Sequence, residues 1–486
     1  MENEQFEQRK AKLGELRDSG INPFANGFKP THLASDLISK YGEFSEEKLK
    51  DLADEFSLAG RVMTIRDFGK SLFFHIADRS GKIQGYIKKD VIGENEHKAF
   101  KKFVDLGDFI GIKGNLFKTR TGELTLNVTE YEFLTKSLHP LPEKWHGLKD
   151  VEARYRQRYL DLVSNPEIKE IFLTRSKIIK LIRGFLDERD FVEVETPILH
   201  PIAGGAAARP FETHHNVLDM DLVLRIAPEL YLKRLVIGGI ERVYEIGRNF
   251  RNEGVSTQHN PEFTMMEFYQ AYATYEDLMD FIEELICHIS HEIKNTLKFE
   301  YGDVEIDMTR PWKRIDITQS LREELGDNIL SDDKELFKKA DSLGIDHKGI
   351  RGKAITEMFE SIFEEKLINP TFVYGFPLDV SPLARQNEEN PELTDRFELY
   401  IFGREIANAF SELNDPVDQK QRFENQVELK NKGEEEVHEM DQNYVTALEH
   451  GMPPTAGAGI GIDRLVMLFT NSPSIREVIF FPHLRP

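Results

Sequence analysis

A chain of 486 residues is too long for one ordinary core, and with 40% hydrophobic residues it has the apolar material for two or three packed domains. Its net charge of -22 argues by itself against nucleic acid as a partner, no segment reaches the ~18 apolar residues that a membrane helix needs, and the charged N-terminus is not expected to act as a secretory signal. The single cysteine, Cys287, can build neither an intrachain disulfide nor a cysteine-based zinc site, which fits a reducing cytoplasm.

Charge is unevenly spread along the chain. Residues 61–149 hold 16 Lys and Arg against 11 Asp and Glu, a net of +5, so the rest of the chain carries -27 of the total of -22. A basic module inside an acidic protein reads either as a polyanion-binding face or as chance fluctuation.

In chain order, residues 6–17 carry Phe6, Leu13 and Leu16 among charges and read as a surface helix, and 46–56 reads as a second helix. From Phe56 the pattern changes to short strands punctuated by turns at Asp67–Gly69, Arg79–Gly81 and Thr119–Gly122. Roughly five strands in this space suggest a small OB-fold β-barrel, an architecture that often binds single-stranded nucleic acid. The stretch 137–150, with Pro140 and Pro142, lacks periodicity and reads as a connector. The expected division is residues 1–145 for the N-terminal helices and barrel, 146–165 for a linker, and 166–486 for a larger domain. That domain opens with helical spacing over 171–191 (Phe172, Ile178, Ile179, Ile182, Phe185, Leu186), followed by FVEVETP, a short alternating strand ended by Pro197. Beyond it strands and helices mix without regular βαβ alternation, so the fold class is α+β, with a mostly antiparallel sheet flanked by helices. Glu434–Glu436 is an acidic patch that reads as a solvated loop or helix face.

There is no P-loop, and GAGIGIDR lacks the spacing of a dinucleotide fingerprint, so a nucleotide site would have to be of another kind. Three stretches carry candidate chemistry. FRNEG...HNPEFTMMEFYQAY (250–272) reads as strand, loop, strand. Arg251 at the end of its first strand offers a planar fork suited to carboxylate or phosphate. Alternation puts Phe263, Met265, Glu267 and Tyr269 on one face of the second strand and Thr264, Met266 and Phe268 on the other. An ordinary half-buried strand would look the same. In RFELYIFGREIANAFSELND (396–415), Asn408, Phe410 and Glu412 share a face, flanked by Glu398 and Glu405. Ionised carboxylates inside a site need a metal or a cationic ligand, and a hard cation such as Mg takes oxygen ligands, whereas surface ion pairs are the plainer alternative. In TAGAGIGIDRLVMLFTN (455–471), Gly457, Gly459 and Gly461 share one strand face, where missing side chains would admit a ligand to the backbone. Asp463 is placed to cap the following helix and Arg464 to complete an anion site at its start; tight helix-on-strand packing is the alternative.

RDFVEVETPIL, FRNEG...PEFTMMEF and GAGIGIDRLVML resemble, in order and spacing, the three signature motifs of class II aminoacyl-tRNA synthetases, while the HIGH and KMSKS signatures of class I are absent. Together with GGAAARPFETHHN, RIAPELYLKRL and FSELND they resemble the bacterial lysyl-tRNA synthetases, from GRVMTIRDFGK onward. The resemblance implies an OB-fold anticodon-binding domain and a class II catalytic domain that joins L-lysine to tRNA(Lys) with ATP and Mg, working as a cytoplasmic homodimer through the motif ending at Pro197. It implies that Arg251 bridges the substrate carboxylate and the α-phosphate, and that Glu253, His259 and Asn260 contact ATP. Phe263 and Arg464 would stack on opposite faces of adenine, and Glu398 and Glu405 would hold Mg. Glu229 would take the α-amino group, with Gly205 and Asn408 lining the pocket and Glu267, Tyr269 and Glu412 facing the lysine side chain. In the barrel, Phe73, Gln84 and Glu123 match positions that read anticodon bases.

Some residues depart from the family pattern. Asp190 stands where glycine is usual, Ala458 replaces a larger apolar residue, and Ile65 and Asp67 sit where basic or small residues are common. His214 and His215 are adjacent, poor spacing for zinc, and Met265–Met266 reads as packing. An aspartyl- or asparaginyl-type synthetase would need cations where this pocket offers carboxylates, and a non-catalytic RNA-binding paralogue has no need of Arg251, Glu398, Glu405 and Arg464.

Overall fold

The computed structural model describes residues 2–52, 54–142, 148, 150–431 and 439–485. The acidic patch Glu434–Glu436 lies outside the described residues, as does part of the expected connector. Two compact units divide the chain, Met1–Lys149 and Asp150–Pro486.

In the first unit, strands Phe56–Asp67, Ser71–Ala77, Lys82–Lys88, Phe109–Lys118 and Leu124–Thr135 close into a barrel. Alternation drives the closure: Leu72, Phe74 and Ile76 point into the barrel core, while Phe73 and His75 between them stay half-buried on the outer face. The three turns fall where expected, and the Asp67 carboxylate accepts from Gly69 N at 2.8 Å to fix the first of them. The N-terminal helix spans Glu2–Asp18 and buries Leu13 and Leu16. The second expected helix is shorter than its pattern: it spans Glu46–Lys50, because Phe56 is already the buried first residue of the barrel and pairs opposite Gly114. Three helices escaped the sequence reading, Ala34–Tyr41, Lys89–Ile92 and Glu94–Phe103, and the first and third contribute Leu37, Tyr41, Phe100 and Phe103 to the barrel's core.

The second unit is built on an eight-stranded sheet. From one edge the order is Lys313–Asp316, Thr371–Tyr374, Arg396–Tyr400, Glu405–Ser411, Thr455–Gly461, Glu262–Ala271, Arg242–Phe250 and Val192–Glu193. Only the outermost pair at each edge is parallel. Helices Pro166–Asp187, Tyr275–Lys294 and Ile462–Thr470 share one core with a single face of this sheet: Ile178, Ile182, Leu186, Ile282, Ile286 and Leu465 pack with Met266, Phe268, Ala409, Ala458 and Ile460. The sequence sets their ends. Proline occupies the first turn of Pro166–Asp187, and Thr274 with Asp277 forms a reciprocal capping box on Tyr275–Lys294, which stops at Asn295 in the left-handed region.

Residues 146–165, expected as a linker, contain two short helices, Val151–Arg156 and Arg158–Ser164, which belong to the second unit. The expected strand FVEVETP is reduced to Val192–Glu193, since neither side chain is buried; pairing with Val243 and Tyr244 and the Glu193–Arg183 ion pair hold it at the sheet edge. Asp190 has φ +62, the left-handed backbone that favours glycine and that Asp also enters, which explains how it replaces the family's glycine. Among the described residues no helix is long and apolar enough to cross a membrane.

Candidate functional site

The face of the sheet turned away from this core carries the site. Register aligns Glu245, Glu267, Gly459, Asn408 and Glu398 in one row across five strands, and Tyr269, Gly457, Phe410 and Arg396 in the next. The same alternation that sends Met266, Phe268, Ala409 and Ala458 into the core sends these residues the other way. Above them lies a cavity of about 390 Å³. It gathers Gly205, Glu229, Arg251, Glu253, His259, Asn260, Phe263, Glu267, Tyr269, Glu398, Glu405, Asn408 and Arg464, drawn from segments up to 259 positions apart (Gly205 to Arg464). Of the residues assigned to the catalytic domain, only Glu412 does not line this cavity; it is buried beside it, on the side of Gly457 that faces Tyr269.

At one end stand the two guanidiniums. Arg251 rests over Phe263, 5.1 Å from the ring centroid, and its buried Nε has no hydrogen-bond partner among the described residues. A buried donor fork left open is the arrangement expected of a group reserved for an anion. Arg464 is anchored: its Nη1 donates to the Glu405 backbone oxygen at 2.6 Å and lies 3.2 Å from Glu405 Oε2, while Nη2 sits 3.3 Å from His259 Nε2. Burial, then the charge of Arg464, pushes the His259 imidazole below its ordinary pKa, so it is neutral near pH 7. Asn260 donates to Glu262 O at 2.6 Å and accepts from His483 N at 3.3 Å, which fixes its side chain.

Asp463 does not cap the helix as expected. Gly461 occupies that position without a side-chain bond, because the Asp463 carboxylate turns into the core, where it accepts from Thr264 N at 2.6 Å and from Arg175 at 2.5 Å. Gly457, Gly459 and Gly461 all line the cavity, as the glycine row suggests. A Cβ on Gly457 would lie 2.3 Å from Tyr269 Cε1 and 2.5 Å from Glu412 Oε1, so the missing side chain there also makes room for the pocket's own residues. Gly205, at φ +86, would bring a Cβ to 2.9 Å from the Glu229 Cβ, so the turn that closes this side of the cavity requires glycine.

The other end is acidic and buried. Burial, then neighbouring Glu229, pushes the Glu267 carboxyl up to about 8, and Tyr269 donates to its Oε2 at 3.1 Å. Glu229, at the start of helix Glu229–Ile237, pairs with Lys233 at 2.5 Å, and Lys233 also pairs with Glu412. Burial raises both of these carboxyls, whereas Lys233 is held above the usual lysine range because Glu229 and Glu412 outweigh its own burial.

Between the ends, Glu398 accepts from Arg396 at 2.6 Å and from the Tyr400 hydroxyl at 2.7 Å; burial, then Glu405, raises its carboxyl. Glu360 joins them from helix Arg351–Phe363, raised to about 8 by burial and then by Glu398, Glu364 and Glu405. Like charges gathered in this way call for a cation. Among the described residues no three His, Cys, Asp or Glu side chains form a complete cage, but Glu398 and Glu405 both line the cavity, and two carboxylates are a donor set that suits Mg when a ligand and water supply the other oxygens.

On the barrel, Phe73, Gln84 and Glu123 share one outer face. Gln84 donates to Glu123 Oε2 at 3.0 Å, His75 Nε2 lies 2.9 Å from Glu123 Oε1, and Phe73 contacts Tyr86 at 4.6 Å and Phe68 at 5.9 Å between ring centroids. Phe68, 65% exposed in the turn before the second strand, extends this aromatic surface. Ile65 packs on the barrel core and Asp67 pairs with Lys101 at 2.5 Å, so both departures serve the fold.

The sequence reading missed Lys233, Glu360, Arg396, Tyr400, Phe68 and His75. Lys233 stands four residues after Glu229, a spacing that could have flagged it. Arg396 and Tyr400 lie two residues either side of Glu398 on the same strand face. Glu360 arrives from a separate helix and left no local signal.

The description "tRNA synthetases class II (D, K and N)" matches residues 150–485, and "OB-fold nucleic acid binding domain" matches residues 56–134. The chain is 55% identical to the lysine–tRNA ligase of Carboxydothermus hydrogenoformans, over 100% of this chain and 98% of the relative. It is 52% identical to that of Bacillus subtilis and 53% to that of Bacillus thuringiensis, over 99% of this chain and 97% of each relative. The chain belongs to the class II aminoacyl-tRNA synthetases, within their lysine–tRNA ligase family.

Proposed function

We propose that this enzyme activates L-lysine with ATP, releasing pyrophosphate and forming lysyl-adenylate, and then transfers the lysyl group to a terminal ribose hydroxyl of tRNA(Lys). The observation that carries this reading is one cavity with two guanidiniums at one end and a buried carboxylate set at the other. The open fork of Arg251 suits the point where the lysine carboxylate meets the α-phosphate, since both are anions and planar donors hold both at once. The Phe263 ring and the Arg464 side chain flank a slot for adenine, and neutral His259, Glu253 and Asn260 edge it.

The lysine carboxylate attacks the α-phosphorus in line and pyrophosphate leaves, so no protein nucleophile is needed. Positioning and charge neutralisation supply the catalysis. Enzymes of this kind use Mg, which here would be held by Glu398 and Glu405 and would offset the charge of the ATP phosphates. Glu229 takes the α-amino group, Gly205 and Asn408 shape the pocket, and Glu267, Tyr269 and Glu412 receive the side-chain ammonium. A site built from buried carboxylates rejects a neutral analogue because its charge would be left unpaired. The same acids oppose an aspartyl- or asparaginyl-type substrate, and the uncommitted Arg251 opposes a non-catalytic role.

The barrel face of Phe73, Gln84 and Glu123 reads anticodon bases by stacking and edge hydrogen bonds. The exposed apolar residues Leu173, Val192, Ile198 and Leu199 around the first signature motif support assembly as a homodimer, and the protein operates in the cytoplasm. ATP–pyrophosphate exchange run separately with each protein amino acid tests the assignment. Exchange with lysine alone is expected; exchange driven by aspartate or asparagine, or by none, overturns it.

A further inference from the structure

We propose that Lys233 is a positioning residue for the bound amino acid: its buried ammonium ties Glu229 to Glu412 and leaves the pocket short of two positive charges, the number a diamino ligand brings. This rests on the lysine-activating reading above.

The geometry is specific. Lys233 is fully buried and does not line the cavity; it stands behind the carboxylates. Its Nζ lies 2.5 Å from Glu229 Oε1 and pairs with Glu412 Oε2. The rings of Phe410, Tyr444 and Tyr269 surround it at 5.2, 5.9 and 6.0 Å from their centroids. Aromatic faces and two carboxylates hold an ammonium in place and give it no route to solvent. Glu412 Oε1, by contrast, is buried without a hydrogen-bond partner among the described residues, so this carboxylate keeps one oxygen uncommitted.

Charge counting gives the consequence. Three acids, Glu229, Glu267 and Glu412, face this end of the site. Arg225 is committed to Glu245 at 2.5 Å and Arg396 to Glu398 at 2.6 Å, which leaves Lys233 as the cation paired to this set among the described residues. One fixed ammonium offsets one carboxylate. The α- and ε-ammonium groups of lysine offset the other two, and Arg251 remains free for the ligand's carboxylate. A monoamino ligand leaves one buried carboxylate uncompensated, which must then hold a proton.

The test uses the full-length enzyme in lysine-dependent ATP–pyrophosphate exchange, with Lys233→Met, Lys233→Gln and Lys233→Arg. The Met and Gln variants are expected to raise KM for lysine at least ~10-fold while kcat and KM for ATP change less than ~3-fold, and the Arg variant to recover part of the loss. Without the fixed cation, Glu229 and Glu412 ionise at higher pH, so the lysine KM of both uncharged variants should keep falling with rising pH after the wild type has levelled. A merely structural lysine would not move that profile. A Gln variant that melts like wild type and keeps its lysine KM and pH profile overturns the proposal. Should no variant fold, calorimetry on the wild type in buffers of different ionisation enthalpy decides: lysine is expected to release about one proton more than 6-aminohexanoate, which lacks the α-amino group, and equal release overturns the proposal. If the wild type shows no lysine-dependent exchange at all, the functional reading fails; if it does and the variants are unaffected, only the role of Lys233 fails.

Discussion

The catalytic sheet and the barrel both use alternation to raise functional side chains from a packed core, yet they set those side chains in opposite environments. On the sheet, Glu229, Glu267, Glu398 and Glu412 are each less than a tenth exposed, and burial is the largest influence on every one of them. On the barrel, Phe73, His75 and Glu123 stay half-buried or exposed, and none of the three is bound into a dry interior. A dry charged site gains strength from the low dielectric and depends on every partner being present. A wet aromatic face spreads its affinity over several modest contacts. Substitutions in the cleft should therefore have large, specific effects, and those on the barrel smaller ones confined to tRNA.

The largest effect is expected at Arg251. Its buried Nε has no hydrogen-bond partner among the described residues, so Arg251→Ala should lower the kcat of ATP–pyrophosphate exchange by about 10²–10³-fold. A near-normal rate would put the anion site elsewhere. Next comes Glu412→Gln, which removes one of the two carboxylates paired with the buried Lys233 ammonium. The variant should melt at lower temperature and lose discrimination between lysine and norleucine in exchange, and retained discrimination would remove Glu412 from the pocket. Phe73→Ala should weaken tRNA binding by ~1–3 kcal/mol, the worth of one stacked base, with exchange in the absence of tRNA unchanged. Equal loss in both assays would break the contrast between the two regions.

The smallest effect concerns pH. The Glu360 carboxyl stands at about 8 against an ordinary 4.5. The folded state thus keeps a proton that the unfolded state has lost, so this group's contribution declines as pH rises from about 4.5 through about 8. Glu360→Gln should raise the Tm of the ligand-free enzyme relative to wild type at pH 8.5 but not at pH 4.5; the same shift at both would show that the charge is irrelevant.

Much of this was legible because the chemistry sits on strands. Period-two alternation in FTMMEFY and IANAF divides each strand into two faces, and the structure keeps Glu267 with Tyr269 and Asn408 with Phe410 together on the cleft side. What was illegible depended on packing between distant segments. Glu360 reaches the acidic cluster from a helix whose own pattern is ordinary. Asp463 looked like a cap and became a core acceptor only because Arg175 and Thr264 arrive there from elsewhere. The two-residue strand Val192–Glu193 shows the opposite failure: a longer alternating pattern that tertiary structure leaves mostly unpaired.

The most direct test of the central claim is a crystal structure of the enzyme soaked with lysine, Mg and α,β-methylene-ATP. The account predicts the α-phosphate within hydrogen-bond reach of Arg251, adenine between Phe263 and Arg464, Mg on Glu398 and Glu405, and the lysine ammonium groups at the end formed by Glu229, Glu267 and Glu412. A triphosphate bound away from both guanidiniums, or a lysine turned with its carboxylate toward the acids, would contradict it.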